Sequence, residues 1–223
     1  MQEPAPAPYA IPAPLFVMSL LYGGMTVLAG FLAVKQVMLW PTSLAVEAGI
    51  FAFLMLVVLS SAIAQLYGPK MANRLVFWGF LPLGVSIVLI LLVLRLPADP
   101  GMWPEGLEAF QLIHATTPRI MAAGPAAYLV SLLLNVWLFS RLRGKGGTTG
   151  NLGLMVRGAI ASALSQAVDS VIFITLAFGG ERDILPLIAG QALAKVVLSF
   201  VLVPPLIALA VGLARKYDPR ATS

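Results

Sequence analysis

The chain has 223 residues, of which 60% are hydrophobic and 10% charged, with a net charge of +5 and no cysteine, and its mean hydropathy is +0.95. A soluble domain needs roughly a quarter of its positions charged, so this composition excludes a water-soluble globule, while the missing cysteines exclude disulfides, thiolate catalysis and cysteine-held metal. The basic residues gather at the ends of apolar runs rather than in one patch, which argues against nucleic acid as a partner and for a lipid bilayer.

Residues 1–14, MQEPAPAPYAIPAP, lack the basic start of a cleaved signal peptide and read as an extended, proline-rich lead. Six apolar runs of membrane-spanning length follow, at about 15–37, 44–66, 75–96, 118–140, 152–178 and 184–213. The predicted fold class is therefore an all-α polytopic membrane protein: a six-helix domain over 15–213 and a basic tail over 214–223. Lys70 and Arg74 follow the second run, Arg141, Arg143 and Lys145 the fourth, and Arg215, Lys216 and Arg220 the sixth. An even number of spans places these clusters and both termini on one side, the cytoplasmic one by the positive-inside rule. Glu47, Asp99, Glu105, Glu108, Glu181 and Asp183 are assigned to the outer face, with Arg95, Arg119 and Arg182 as its main cations. Trp40 and Trp103 fall at the outer boundary, and Trp78 and Trp137 at the inner one, where amphipathic rings settle.

The connection between runs three and four is the longest, and EGLEAFQLI within it is expected to form a short surface helix able to act as a lid. GKGGTTGN, residues 144–151, is an inner turn without the spacing of a phosphate loop. His114 is the only histidine and is assigned to the outer loop, so a histidine-based metal site or protease has no second member. No catalytic constellation or cofactor motif emerges, and enzyme chemistry is not expected.

SALSQAVDSVIF, residues 162–173, sets a carboxylate inside an apolar run. A charge at membrane depth costs at least about 2.5 to 3.5 kcal/mol, so it is expected to face the bundle interior and to have a partner. Asp169 lies nine residues before the outer end of run five and Lys195 eleven residues after the outer end of run six, roughly 14 to 17 Å deep at about 1.5 Å per residue. The two are therefore predicted to meet. Gln166 and Gln191 lie three and four residues before them on the same helix faces. Phe173 and Phe200 are candidates for an aromatic wall, and Ala159, Ala163 and Ala167 form a small-residue stripe for close helix approach. Ser131, Asn135 and Phe139 repeat in type and spacing as Ser165, Asp169 and Phe173. The bland alternative is an ion pair that merely locks two helices. Arg157 is expected to snorkel to the inner surface and Lys35 outward, with Lys35 kept as a secondary binding candidate.

TPRIMAAGPAAYLVSLLLNVWLFSRLR, SALSQAVDSVIFITLAFGG and AGQALAKVV resemble the queuosine precursor transporters, also called the VUT or vitamin-uptake-like family, and LAVK and QLYGPKMANRLVFWGF extend the likeness through the first half. The resemblance implies an inner-membrane prokaryotic carrier of six helices, similar in fold to the substrate-binding components of energy-coupling-factor transporters, that imports deazaguanine precursors of a tRNA nucleoside. A guanine-like ring offers adjacent N–H donors to a carboxylate and acceptors to amides, roles that suit Asp169, Gln166, Gln191 and Lys195, with Asn135 as a further hydrogen-bonding group and Phe173 as a stacking platform.

The chain departs from the family pattern where polarity matters: Ser61 and Gln65 stand where it has acids, Leu132 and Asn135 where it has Gln and Asp, and Leu202 near another acid. A changed, still heterocyclic cargo is one consequence, and a non-transporting structural or assembly protein of the same fold is the alternative. No ATP site lies in the sequence. The solute gradient, metabolic trapping, a coupled ion and a separate ATPase partner are the possible energy sources, and Lys195 beside Asp169 argues against that carboxylate as a proton carrier.

Overall fold

The first apolar run stops short of its predicted end, and the reason lies in the residues that follow. The computed structural model describes residues 11–40, 44–142, 151–180 and 183–217. Helix α1, Ala13–Leu32, gives way to strands β1, Gln36–Leu39, and β2, Leu44–Glu47, which pair antiparallel with Val37 opposite Val46. Val37 and Val46 are β-branched and favour an extended backbone. The hairpin occupies the boundary region that hydropathy alone had divided between spans one and two.

Helix α2, Gly49–Tyr67, meets α3, Pro69–Val93, across a one-residue joint. Gly68 has φ +86°, a backbone state that glycine adopts without strain, and Pro69 opens the next helix with its fixed φ and no N–H to waste. Helix α4 runs unbroken over Pro104–Leu142. The short outer helix expected over EGLEAFQLI is the first part of this element, not a separate lid. Pro118 does not end it; the Thr117 hydroxyl, fully buried, donates to Ile113 O at 2.8 Å beside the proline. His114 consequently sits on α4 rather than in a loop, stacked 4.1 Å from Phe110 and edge-on to Phe31 at 5.7 Å.

Helix α5, Asn151–Phe178, packs along α4. Arg119, assigned to the outer face as a topology charge, donates from Nε to Leu176 O and from Nη2 to Gly179 O, both at 2.7 Å, and so caps the carbonyl end of α5 from the neighbouring helix. The sixth run divides into α6, Leu185–Val201, and α7, Val203–Tyr217, bent by 46°. Pro204 and Pro205 account for the break, since each lacks the N–H that would continue the ladder and crowds the preceding turn.

Among the described residues, α1, α2, α3 and Ile160–Phe178 of α5 are long and apolar enough to cross a membrane, and α6 with α7 makes a fifth span if the bent pair counts as one. Helix α3 shows why lipid must surround the bundle: Phe77, Leu81, Val85, Val88 and Leu92 are all more than 45% exposed, a face that water would not tolerate. The centre is α2, whose Leu54, Val58, Leu59, Ala62 and Ile63 are buried among α1, α3, α6 and α7. Residues 1–10, Arg143, Lys145, most of the 144–151 turn, Glu181, Arg182 and Arg220 lie outside the described residues, as do the side chains of Leu132, Asn135, Phe139, Arg157 and Ala159.

Candidate functional site

Strand periodicity fixes the first wall of the site. Alternate residues of β2 face opposite ways: Val46 is buried in the apolar cluster with Ile50, Leu54 and Val203, while Ala45 and Glu47 turn toward α6. The strand comes so close to α6 that a Cβ at Gly190 would collide with Ala45 O. That contact brings Glu47 beside Gln191. The backbone N–H of Glu47 donates to Gln191 Oε1 at 3.2 Å, and Gln191 Nε2 donates to Glu47 Oε1. Glu47 is therefore not an outer-surface charge; it is 3% exposed.

One helical turn further along α6, Lys195 Nζ lies 2.5 Å from Asp169 Oδ2 of α5. The depth arithmetic predicted this meeting. The other Asp169 oxygen, Oδ1, accepts from Ser131 Oγ of α4 at 3.1 Å, so the carboxylate ties three helices together. Lys195 Nζ also lies 4.4 Å from the Phe53 ring centroid and 5.7 Å from that of Phe173, where each π face adds to the attraction holding the ammonium. Gln166 faces the same interior: its Nε2 donates to Ser162 Oγ at 3.0 Å, and its Oε1 accepts from Ser199 Oγ at 2.9 Å.

These groups line one cavity of 450 Å³, within the ordinary range for small-molecule sites. Asp169, Lys195, Gln166 and Phe173 reach it, as do Glu47 and Phe53. Gln191 stands behind Glu47 and orients it rather than lining the space. Tyr22, Tyr128 and several serines add hydroxyls to walls that are otherwise apolar. Apolar walls with a few fixed polar groups suit a flat, polar solute that can stack and hydrogen-bond at its edges.

Other candidates fall elsewhere. Lys35 is exposed just before the hairpin and takes no part in the cavity, as expected of a side chain that reaches outward. Phe200 is 53% exposed and does not line the cavity, whose aromatic side chains among the described residues are Phe173, Phe53, Phe80, Tyr22 and Tyr128. Asn135 belongs to α4, but its side chain lies outside the described residues. Ser61 does not line the cavity and Gln65 is exposed, so the acids missing there leave no gap in these walls.

Sequence reasoning missed Glu47 because it was placed by hydropathy as a boundary charge. The usable signal was LAVE after Pro-Thr-Ser, whose alternation reads as a strand with its acid on the Ala45 face. Phe53 carried no comparable signal, since an aromatic inside an apolar helix is indistinguishable from core.

No curated protein and no solved structure matches the chain. Residues 47–209, nearly three quarters of it, match the model of the family described as "Putative vitamin uptake transporter", with both the Asp169–Lys195 pair and Glu47 inside the matched span, and the chain belongs to that family.

Proposed function

We propose that this transporter carries a small, polar, planar heterocycle, of the deazaguanine kind that feeds queuosine synthesis or a related base, into a prokaryotic cell across its inner membrane. The observation that supports it best is the 450 Å³ cavity opening directly beside the buried Asp169–Lys195 pair. An ion pair that served only to lock helices would be packed on all sides, because a cavity leaves its neighbours without contacts. Here charge, carboxamide and aromatic ring share one space. In this reading Asp169, Lys195 and Gln166 contact the solute, Phe173 stacks on it, Asn135 adds a hydrogen bond, and Gln191 acts through Glu47.

The proposed topology has six spans, with α4 as the fourth and the bent pair α6–α7 as the sixth, both termini in the cytoplasm, and a fold akin to the substrate-binding components of energy-coupling-factor transporters. Transport, not chemistry, is the task; the energy source is the solute gradient, trapping by metabolism, a coupled ion or a partner ATPase.

Uptake of labelled 7-deazaguanine into cells lacking their own carrier tests the proposal. Wild-type chain is expected to restore uptake and Asp169→Asn to abolish it at equal expression. Normal membrane insertion with no uptake of any heterocycle would favour a structural role instead.

A further inference from the structure

The cavity wall between α5 and α6 has two polar tiers of different character. In the first, Asp169 meets Lys195. Its polarity is fixed, because a carboxylate only accepts hydrogen bonds and an ammonium only donates them. One turn further along both helices lies a second tier without charge: Gln166 Oε1 accepts from Ser199 Oγ at 2.9 Å, and Gln166 Nε2 donates to Ser162 Oγ at 3.0 Å. All three residues are half-buried and border the cavity.

The second tier has no fixed polarity. A serine hydroxyl both donates and accepts, so each clamp serves either end of the carboxamide. A half-turn of the amide about its last side-chain bond places Nε2 against Ser199 and Oε1 against Ser162, and either state keeps one N–H···O and one O–H···O bond. The two states therefore differ little in energy. In each, the amide retains one N–H and one oxygen lone pair that no described residue takes. The half-turn exchanges the positions of this spare donor and spare acceptor on the cavity wall. Partners of fixed polarity, such as a carboxylate and an ammonium, would satisfy one orientation only.

Building on the carrier function proposed above, we infer that Gln166, held between Ser162 and Ser199, is a reversible hydrogen-bond reader that admits planar heterocycles with either order of donor and acceptor along one edge. A ring N–H beside a carbonyl pairs with one state of the amide. A ring nitrogen beside an amino group pairs with the other. The solute selects the orientation, and the serines follow by rotating their hydroxyl protons. The substrate class thus covers lactam and amidine forms of one ring, while the charged tier keeps a single polarity.

Two probes and purified full-length protein in lipid nanodiscs test this: 7-deazahypoxanthine, with a ring N–H beside a carbonyl, and 7-deazaadenine, with the same ring and the reversed edge. Wild type is expected to bind both. Gln166→Met keeps the length of the side chain and removes both hydrogen-bonding groups, so it is expected to weaken both probes by similar factors, at least about fivefold each, as the loss of one or two hydrogen bonds implies. Ser199→Val should weaken both in parallel, and Ser199→Thr, of the same shape with the hydroxyl restored, should recover them. A serine that served packing alone would make the Val and Thr proteins alike.

Wild-type binding of one probe only, or a loss confined to one probe in Gln166→Met, would make the glutamine a one-way reader and overturn the inference while leaving the carrier function standing. Unchanged affinity for both probes in the folded Gln166→Met protein would reduce the trio to a tie between helices, with the same consequence. Folded wild-type protein that binds 7-deazaguanine and neither probe would likewise overturn the reversible reader alone. Failure to bind any of the three would overturn the proposed cargo class with it.

Discussion

Two carboxylates border the same cavity and are held in opposite ways. Asp169 sits on a helix, and its oxygens meet an ammonium and a hydroxyl contributed by two other helices. Glu47 ends a two-stranded hairpin and has one oxygen bound to a carboxamide and the other bound to nothing described. Bonds from two other helices make the first acid a structural tie as well as part of the cavity wall. The second is sealed behind the hairpin, with its Oε2 fully buried. The lesson is that two buried acids beside one cavity differ in what holds them: groups from two other helices in one case, a single carboxamide in the other.

The sharpest way to break this contrast is to neutralise Asp169. Asp169→Asn would leave the Lys195 ammonium buried without its counter-charge, and breaking such a pair typically costs about 3 to 5 kcal/mol. A large fall in melting temperature in detergent is expected, together with lost uptake. The double substitution Asp169→Asn with Lys195→Met removes the orphaned charge, so it should recover much of the stability but not the uptake; recovery of both would make the pair a helix lock and nothing more. Glu47→Gln should behave differently, leaving the melting temperature nearly unchanged, because the side-chain oxygen of glutamine can still accept from Gln191.

A smaller effect is expected at Gln191→Ala. Two hydrogen bonds to Glu47 disappear, one of them to a charged group, for a loss of about 2 to 4 kcal/mol. A melting measurement in detergent would register the loss. Gln166→Ala removes the links to Ser162 and Ser199 and is expected to cost about 1 kcal/mol, with a modest rise in the dissociation constant. At the bottom of the scale, Lys35→Ala changes an exposed side chain remote from the cavity and should leave stability within about 0.5 kcal/mol and uptake unaltered. A strong defect there would show that the hairpin approach matters to transport in a way the cavity walls do not reveal.

Much of the region around Asp169 was legible in the sequence. An isolated acid and an isolated base in apolar helices at equal depth can only be explained by each other, so Asp169 and Lys195 identified one another through helical rise alone. Gln166 followed from its place one turn away. The region around Glu47 was not legible in the same way, because the hairpin breaks the assumption that every apolar stretch of this length is helical. Once residues 36–47 pair as strands, Glu47 moves from the surface to the interior, a change that hydropathy cannot register. The α6–α7 bend was available in Pro204 and Pro205 and was passed over because the whole run remained apolar. Arg119 shows the converse limit: a cation near a span end reads as topology, whereas its bonds to Leu176 O and Gly179 O require knowing which helix terminates beside it.

The close seating of β2 on α6 reaches further than the hairpin itself. Because Ala45 O rests against the bare backbone of Gly190, and Gly190 touches no part of the cavity surface, a single methyl added there would lift the strand and withdraw the acid two positions along it. The depth of a buried acid is thus governed from behind, by a residue outside the cavity wall.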